Sequence, residues 1–129
     1  MAFTITAQPR AWFPVKWTGI GEDGKPVENE IELRFHVLLV DEAIPVIKDA
    51  IAVLQRLEEL PDGTASAEMA KAVVRFADDW RGVMAQNGEP LKFTEEHVRM
   101  LCNVTSVYGA MVAAYQSCLS GAAERRAGN

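Results

Sequence analysis

The segment Ile31–Val37 has the sequence IELRFHV, in which apolar and polar side chains alternate without interruption. A period of two is typical of a β-strand that packs one face on a core. The same alternation occurs upstream in residues 13–18, FPVKWT, and an Asp-Gly pair lies between the two runs in residues 21–26, GEDGKP. The sequence therefore predicts an antiparallel β-hairpin over residues 11–38.

This hairpin needs further structure to be stable. Pro14 has no N–H to donate to a neighbouring strand, so it must lie at an edge of the sheet or at a position that makes no ladder hydrogen bond. An isolated hairpin is marginal in water and requires helices, another strand or a second subunit to cover its apolar face. Residues 3–5, Phe-Thr-Ile, could supply a third short strand.

The rest of the chain predicts three helices, at about residues 42–60, 66–85 and 95–120. The first has Asp41 as its N-cap and Pro45 in its first turn, and residues 61–63, Pro-Asp-Gly, end it. The second ends at the turn Asn87–Pro90. Apolar residues recur at helical spacing in all three segments.

Thr94 is the predicted N-cap of the third helix, whose apolar positions continue to Gly121. Gly109 lies in the middle of this helix and suggests the close approach of another backbone. Residues 122–129 are expected to form a frayed tail. Cys102 and Cys118 would lie about 24 Å apart on one helix, too far for a disulfide, and are expected to stay reduced.

Length and composition favour one α+β domain spanning residues 1–129. The chain has 129 residues, of which 49% are hydrophobic and 24% are charged, and no linker or repeat divides it. A net charge of −5, with the basic residues scattered among acidic ones, argues against a nucleic-acid partner. The absence of a signal-peptide pattern or an apolar span predicts a cytoplasmic protein that is not in a membrane.

A search for catalytic chemistry finds little. Phosphate-binding loops, nucleophile elbows and zinc motifs are absent from the sequence. His36 and His97 have no evident catalytic partner, and Asp78 and Asp79 point about 100° apart on a helix, which favours a solvated face over a metal site. We therefore expect no enzyme activity, cofactor or bound metal.

Aromatic residues crowd the first strand, where Trp12, Phe13 and Trp17 lie within six positions. Tryptophan is enriched at protein interfaces because it buries a large area. Two explanations remain open: these side chains cover the helical layer, or they bind a second copy through an unpaired sheet edge. The second predicts a homo-oligomer, a dimer or larger.

Several short motifs resemble one protein family. They are Trp80-Arg81-Gly82-Val83, the segment NGEPLKFTEE at residues 87–96, Ala114-Tyr115, and Ser120-Gly121. Together with the hairpin layout, they resemble the tail assembly chaperones of long-tailed bacteriophages and prophages. The segment from Asp41 to Leu60 departs from that family's pattern, because it is more apolar than the charged helix usual there.

The resemblance implies a non-enzymatic role in tail assembly. Proteins of this family bind the long helical tape measure protein, keep it soluble before the tail tube polymerises, and are absent from the finished tail. A longer form made by ribosomal frameshifting commonly recruits tail tube subunits. The proposed contacts with a client or a second copy are Trp12, Phe13, Trp17, Ile44 and Ile47.

The motif itself is expected to be structural. Its residues would end a helix, form a turn and anchor the last helix to the core: Trp80, Gly82, Val83, Gly88, Pro90, Phe93, Thr94 and Tyr115.

Two alternatives to the chaperone remain open. One is another small interaction protein, such as a head-tail joining protein, a tail-completion protein or a regulatory adaptor. The other is an enzyme whose His36 or His97 has a carboxylate within hydrogen-bond reach.

Overall fold

The computed structural model describes residues 2–3 and 9–121. It confirms the α+β class, with an antiparallel sheet and helices. The elements in chain order are β1 (Arg10–Ile20), β2 (Pro26–His36), α1 (Val40–Gln55), a 3-10 turn (Leu57–Glu59), α2 (Ala65–Phe76), β3 (Ala77–Arg81), α3 (Glu95–Cys102) and α4 (Val107–Ser120). The predicted tail at residues 122–129 lies outside the described residues.

The predicted hairpin is confirmed. β1 and β2 pair antiparallel along their whole length, with Val15 opposite Ile31. A backbone hydrogen bond of 2.9 Å from Gly21 to Lys25 closes the turn, in which Gly24 has φ of 78°. The strand order is β1-β2-β3, so β1 is an edge strand, one of the two placements that Pro14 allows.

The third strand comes from an unexpected part of the chain. The prediction of one helix over residues 66–85 is wrong after Phe76, because Ala77–Arg81 pairs with β2. Aspartate has a low propensity for the interior of a helix, and two occur in succession here. Gly82 has φ of 91°, a backbone conformation that ends a right-handed helix. Phe3 is in no strand, and the other two residues of the strand predicted at 3–5 lie outside the described residues.

The predicted helix over residues 95–120 is also wrong as a single element. It breaks after Cys102, and α4 begins only at Val107, following Ser106 with φ of 76°. The break contains Asn103, Thr105 and Ser106, whose side chains compete with helical backbone hydrogen bonds. The 24 Å separation expected of the two cysteines on one helix therefore does not apply.

Helix α1 starts earlier and ends earlier than the predicted range of 42–60. Its N-cap is Leu39, not Asp41, and regular α-helix ends at Gln55 before the 3-10 turn. Pro45 is thus the sixth helical residue, beyond the first turn where it was expected. The helix loses one backbone hydrogen bond there, and the packing of Ala43, Val46 and Ala50 holds it in place.

The core lies between one face of the sheet and the helices. Its centre is a cluster of aromatic rings in which Phe35 lies 6.3 Å from Phe13, 6.0 Å from Phe76 and 5.2 Å from Tyr115, measured between ring centroids. The Tyr115 hydroxyl donates a hydrogen bond of 2.9 Å to the His36 carbonyl oxygen. Strand β2 and helix α4 are therefore joined by both apolar and polar contacts.

Candidate functional site

Helix α1 carries more apolar surface than the core covers. Five of its residues follow a 4-3-4-3 spacing, and we call them the α1 stripe: Val40, Ile44, Ile47, Ile51 and Leu54. Val40 is 70% exposed and Ile44 is 51% exposed, whereas the other three are half-buried. At 100° per residue the five lie within an arc of about 80°.

The fully buried residues of α1 lie beside the α1 stripe. Ala43, Val46 and Ala50 pack into the core and lie roughly 100° around the helix from the centre of the α1 stripe. A helix on the surface of a globular protein usually needs only one apolar face, which packs on its core. Ile47, Ile51 and Leu54 also pack partly against the core, so Val40 and Ile44 are the part of the α1 stripe left open for contact with another helix.

The predicted interaction residues are separated by the fold. Ile44 and Ile47 lie together on the α1 stripe. Phe13 is only 7% exposed and belongs to the core, and Trp17 is half-buried against that core. Trp12 lies on the opposite face of the sheet, where the Arg81 guanidinium carbon is 3.7 Å from its ring centroid.

That opposite face of the sheet holds an ionic cluster around Asp78. Its carboxylate accepts from Arg34 Nε at 2.7 Å and from Arg10 Nε at 3.0 Å, and His36 Nε2 is 3.2 Å away. A register shift causes this arrangement: Phe35 pairs with Ala77 and Arg34 with Asp79, so Asp78 is an extra residue. Three elements of the chain thus meet at one side chain.

The pKa of Asp78 reflects two opposing effects. Burial raises it, but hydrogen bonds from Arg34 and His36 and the positive charges of Arg34 and Arg10 outweigh burial and hold the pKa below its ordinary value. A lowered pKa means that the ionised carboxylate stabilises the fold above the pKa of the unfolded state, about 3.9. This contribution is lost as the pH falls through the folded-state value.

Asp78→Asn is expected to lower the free energy of unfolding by about 1 kcal/mol at pH 7, because it removes the charge that three donors share. The difference from the unsubstituted protein should shrink as the pH falls from about 4 through the lowered pKa of the folded-state carboxylate, because the side chain becomes protonated over that range. Urea unfolding of both proteins at pH 7, 5 and 3 measures this difference in the free energy of unfolding. Asp62→Asn, in an exposed turn, is the control, and a pH-independent difference for Asp78→Asn would contradict the ionic explanation.

The residues of the motif between positions 80 and 94 join β3 to α3. Trp80 donates from Nε1 to the Leu91 carbonyl oxygen at 2.7 Å, and its ring meets Phe93 edge-on with a centroid distance of 5.2 Å. Gly88 has φ of 83°, which glycine adopts without strain. Thr94 caps α3, as predicted, by accepting from the His97 backbone at 3.1 Å. Trp80 lies on a strand, however, not at the helix end expected of it.

The two histidines differ in their surroundings. His36 has the Asp78 carboxylate within reach, but two arginines bind the same carboxylate on an open sheet face. His97 Nδ1 lies 2.7 Å from the Lys92 carbonyl oxygen.

Over residues 2–3 and 9–121, no group of three or more His, Cys, Asp or Glu side chains could hold a metal ion. No helix in that part of the chain has the length and hydropathy to cross a membrane.

Both cysteines are free, as expected. Burial raises the pKa of the Cys102 thiol to about 12 and also raises that of Cys118. Both thiols are therefore protonated at neutral pH, which makes them poor nucleophiles.

Sequence reasoning missed one feature of the surface and found part of a second, since it named Ile44 and Ile47 of the α1 stripe as contacts. The Asp78 cluster depends on the register between β2 and β3, which has no local signal in the sequence. The α1 stripe did have a signal, because the 4-3-4-3 spacing is present in residues 40–54, but the spacing alone does not show which apolar residues the core covers.

No protein-family model, curated protein or solved structure matches this chain.

Proposed function

We propose that this protein is a phage or prophage tail assembly chaperone that binds the tape measure protein and keeps it soluble before the tail tube polymerises. The observation that carries the proposal is the α1 stripe, an apolar helix face left partly exposed. The motifs at residues 80–96 and 114–121 support it through their resemblance to that family.

The chemistry of the stripe suits a long helical client. A tape measure protein exposes apolar stripes along its helices until the tail tube encloses it. Val40 and Ile44 offer a matching apolar surface, and the stripe extends over 15 residues, or about 21 Å of helix from the first to the last. Burial of apolar area at roughly 25 cal/mol per Å² would drive such helix-in-groove binding.

No catalytic residue or cofactor takes part in this function. The protein acts in the host cytoplasm as a dimer or larger oligomer, and it binds neither nucleic acid nor membranes. Its net charge of −5 keeps the oligomer dispersed. A longer frameshifted form would recruit the tail tube protein, as in the family that the motifs resemble.

Co-expression tests the proposal directly. The chain is produced together with the tape measure protein encoded beside it, and the soluble fraction of the latter is measured with and without this chain. We expect the tape measure protein to be soluble only in the presence of this chain. If its solubility does not change, the proposal is wrong.

Ile44→Asp is expected to reduce the affinity for the tape measure protein roughly tenfold or more, because it places a charge in the exposed part of the α1 stripe. Pull-down of the tape measure protein by the tagged chain measures the effect. Ile20→Asp is the matched control, since Ile20 is 83% exposed at the hairpin turn, away from α1. Equal loss of binding in both variants would show that the stripe is not the binding surface.

A further inference from the structure

The exposed side of α1 has the spacing of a coiled-coil seam. The first four residues of the α1 stripe follow a 4-3-4 spacing, which places apolar side chains between two paired helices. We call them the α1 seam: Val40, Ile44, Ile47 and Ile51. The last two touch the core with part of their surface and are half-buried, whereas the first two are exposed. A second helix can therefore contact all four.

Leu54, the last residue of the α1 stripe, is not part of the seam. It lines a cavity of about 330 Å³ between α1, α2 and the break between α3 and α4, and Gly109 lines the same cavity. A Cβ atom added at Gly109 would meet no atom within 4 Å, so the close approach of another backbone expected from the sequence is wrong. The α1 seam therefore ends at Ile51.

A second copy of the same helix matches the seam when it runs antiparallel. If two α1 helices pair about a two-fold axis, Ile44 of each copy lies opposite Ile47 of the other. In the same register, Val40 of each copy lies opposite Ile51 of the other. All the layers between the two helices then consist of aliphatic side chains.

Two charges beside the seam complement each other in this arrangement. Asp41 and Lys48 each follow a seam residue, are exposed, and lie within about 60° of Ile44 around the helix. Over residues 2–3 and 9–121, neither forms an ion pair within its own chain. In the antiparallel register, Asp41 of each copy lies opposite Lys48 of the other, which gives two ion pairs. In a parallel pair, Asp41 and Lys48 would be about 10 Å apart along the axis.

The other charges around α1 lie away from the seam. Five more charged residues belong to α1 or closely follow it: Glu42, Asp49, Arg56, Glu58 and Glu59. The first two point more than about 130° away from Ile44, and Asp49 pairs with Arg75 of α2 at 2.8 Å. The last three come five or more residues after Ile51, beyond the end of the seam. On the adjoining α2, Glu68 and Lys71 pair with each other at 3.3 Å.

The free edge of β1 is a poorer site for a second copy. Backbone hydrogen bonds of 2.9 Å from Val37 to Pro9 and from Gly21 to Lys25 show that the odd-numbered residues of β1 bond to β2. The backbone groups of the even-numbered residues, including Pro14, therefore face the free edge. Pro14 has no N–H to donate to an added strand, and it lies near the middle of β1.

We propose that a second copy of this chain covers the α1 seam in antiparallel orientation, with two ion pairs between Asp41 and Lys48. The inference rests in part on the proposed function and deepens it, because it names the occupant of the same surface when no client is bound. An interface made mainly by one helix pair is at the low end of the areas of specific interfaces, so we expect a dissociation constant in the micromolar range. A client helix can then compete with the second copy for Ile44.

Charge reversal tests this pairing. Sedimentation velocity at increasing concentration should show the unsubstituted chain passing from a monomer of 14.2 kDa to a dimer. Asp41→Lys and Lys48→Asp should each weaken the dimer at least tenfold, because each places like charges opposite each other twice. An equimolar mixture of the two variants should dimerise again, since every pair across the axis then joins an acid and a base. Asp62→Lys, in an exposed turn, is the matched control and should dimerise like the unsubstituted chain.

Three outcomes of this experiment would overturn the proposal. They are an unsubstituted chain that stays monomeric up to about 1 mM, single variants that dimerise as tightly as the unsubstituted chain, and a mixture that stays monomeric.

Amide hydrogen exchange of the unsubstituted chain gives a second test that does not depend on the folding of any variant. Exchange over residues 40–55 should slow as the concentration rises, while exchange over residues 10–20 should not change. Slower exchange over residues 10–20 alone would place the second copy on β1 and overturn the proposal.

Failure of this inference differs from failure of the proposed function. If the two charge variants dimerise only when mixed but the tape measure protein is not kept soluble, the antiparallel dimer stands and the chaperone proposal is wrong. If the tape measure protein is kept soluble by a chain that is monomeric at every concentration, the chaperone proposal stands and the antiparallel dimer is wrong.

Discussion

Phe35→Ala is expected to lower the free energy of unfolding by about 4 kcal/mol, the largest effect that we predict for a single substitution. Phe35 is fully buried, and its ring touches those of Phe13, Phe76 and Tyr115. Alanine would remove these contacts and leave a cavity between the sheet and the helices. Since domains are commonly stable by only 5–15 kcal/mol, roughly, such a loss removes a large part of the total.

Urea denaturation measures this prediction. The midpoint should fall while the slope of free energy against urea stays unchanged, because the surface exposed on unfolding is nearly the same. Phe3→Ala is the matched control, since Phe3 is 90% exposed, and it should change the stability by less than about 0.5 kcal/mol. A loss below about 1 kcal/mol for Phe35→Ala would contradict the aromatic cluster as the centre of the core.

Trp80→Ala is expected to lower the free energy of unfolding by about 3 kcal/mol and to loosen the segment that follows β3. The indole joins β3 to the segment before α3: it packs edge-on against Phe93 and donates a hydrogen bond of 2.7 Å to the Leu91 carbonyl oxygen. Its loss leaves that carbonyl oxygen without its donor and frees the segment between β3 and α3. Limited trypsin digestion should then cleave after Lys92 faster than in the unsubstituted chain.

Trp80→Phe separates the two contributions. It keeps an aromatic ring against Phe93 but removes the N–H donor, so we expect a loss of only about 1 kcal/mol. Trypsin cleavage after Lys92 should then increase less than it does for Trp80→Ala. If Trp80→Ala leaves both the stability and the cleavage rate unchanged, Trp80 does not hold this segment.

Local patterns in the sequence were sufficient for the hairpin and for one helix cap. The alternation over residues 31–37 depends on neighbouring residues alone, and Pro14 favours an edge strand through its missing N–H. Thr94 caps α3 through a side chain three residues from its donor, a contact that any tertiary arrangement would allow. These features were predicted correctly because their causes lie within a few residues.

The errors occurred where distant residues decide the local structure. Ala77–Arg81 has apolar spacing that continues the pattern of α2, but β2 offers it an unpaired edge more than 40 residues earlier in the chain. Pairing with β3 gives hydrogen-bond partners to the backbone N–H and C=O groups at the free edge of β2. A longer α2 would leave those groups unpaired. The same pairing shifts the register by one residue and brings Asp78 to Arg10, Arg34 and His36.

The sequence by itself determined the α+β class, the hairpin and its edge strand, because hydrophobic period and proline chemistry are local. Only the tertiary structure decided which apolar residues of α1 are covered, since they all follow helical spacing and Tyr108 bonds to the Ala50 carbonyl oxygen from 58 residues away. Contact across such distances in the chain selects Ala43, Val46 and Ala50 for the core. It therefore leaves Val40 and Ile44 on the surface that we propose for binding.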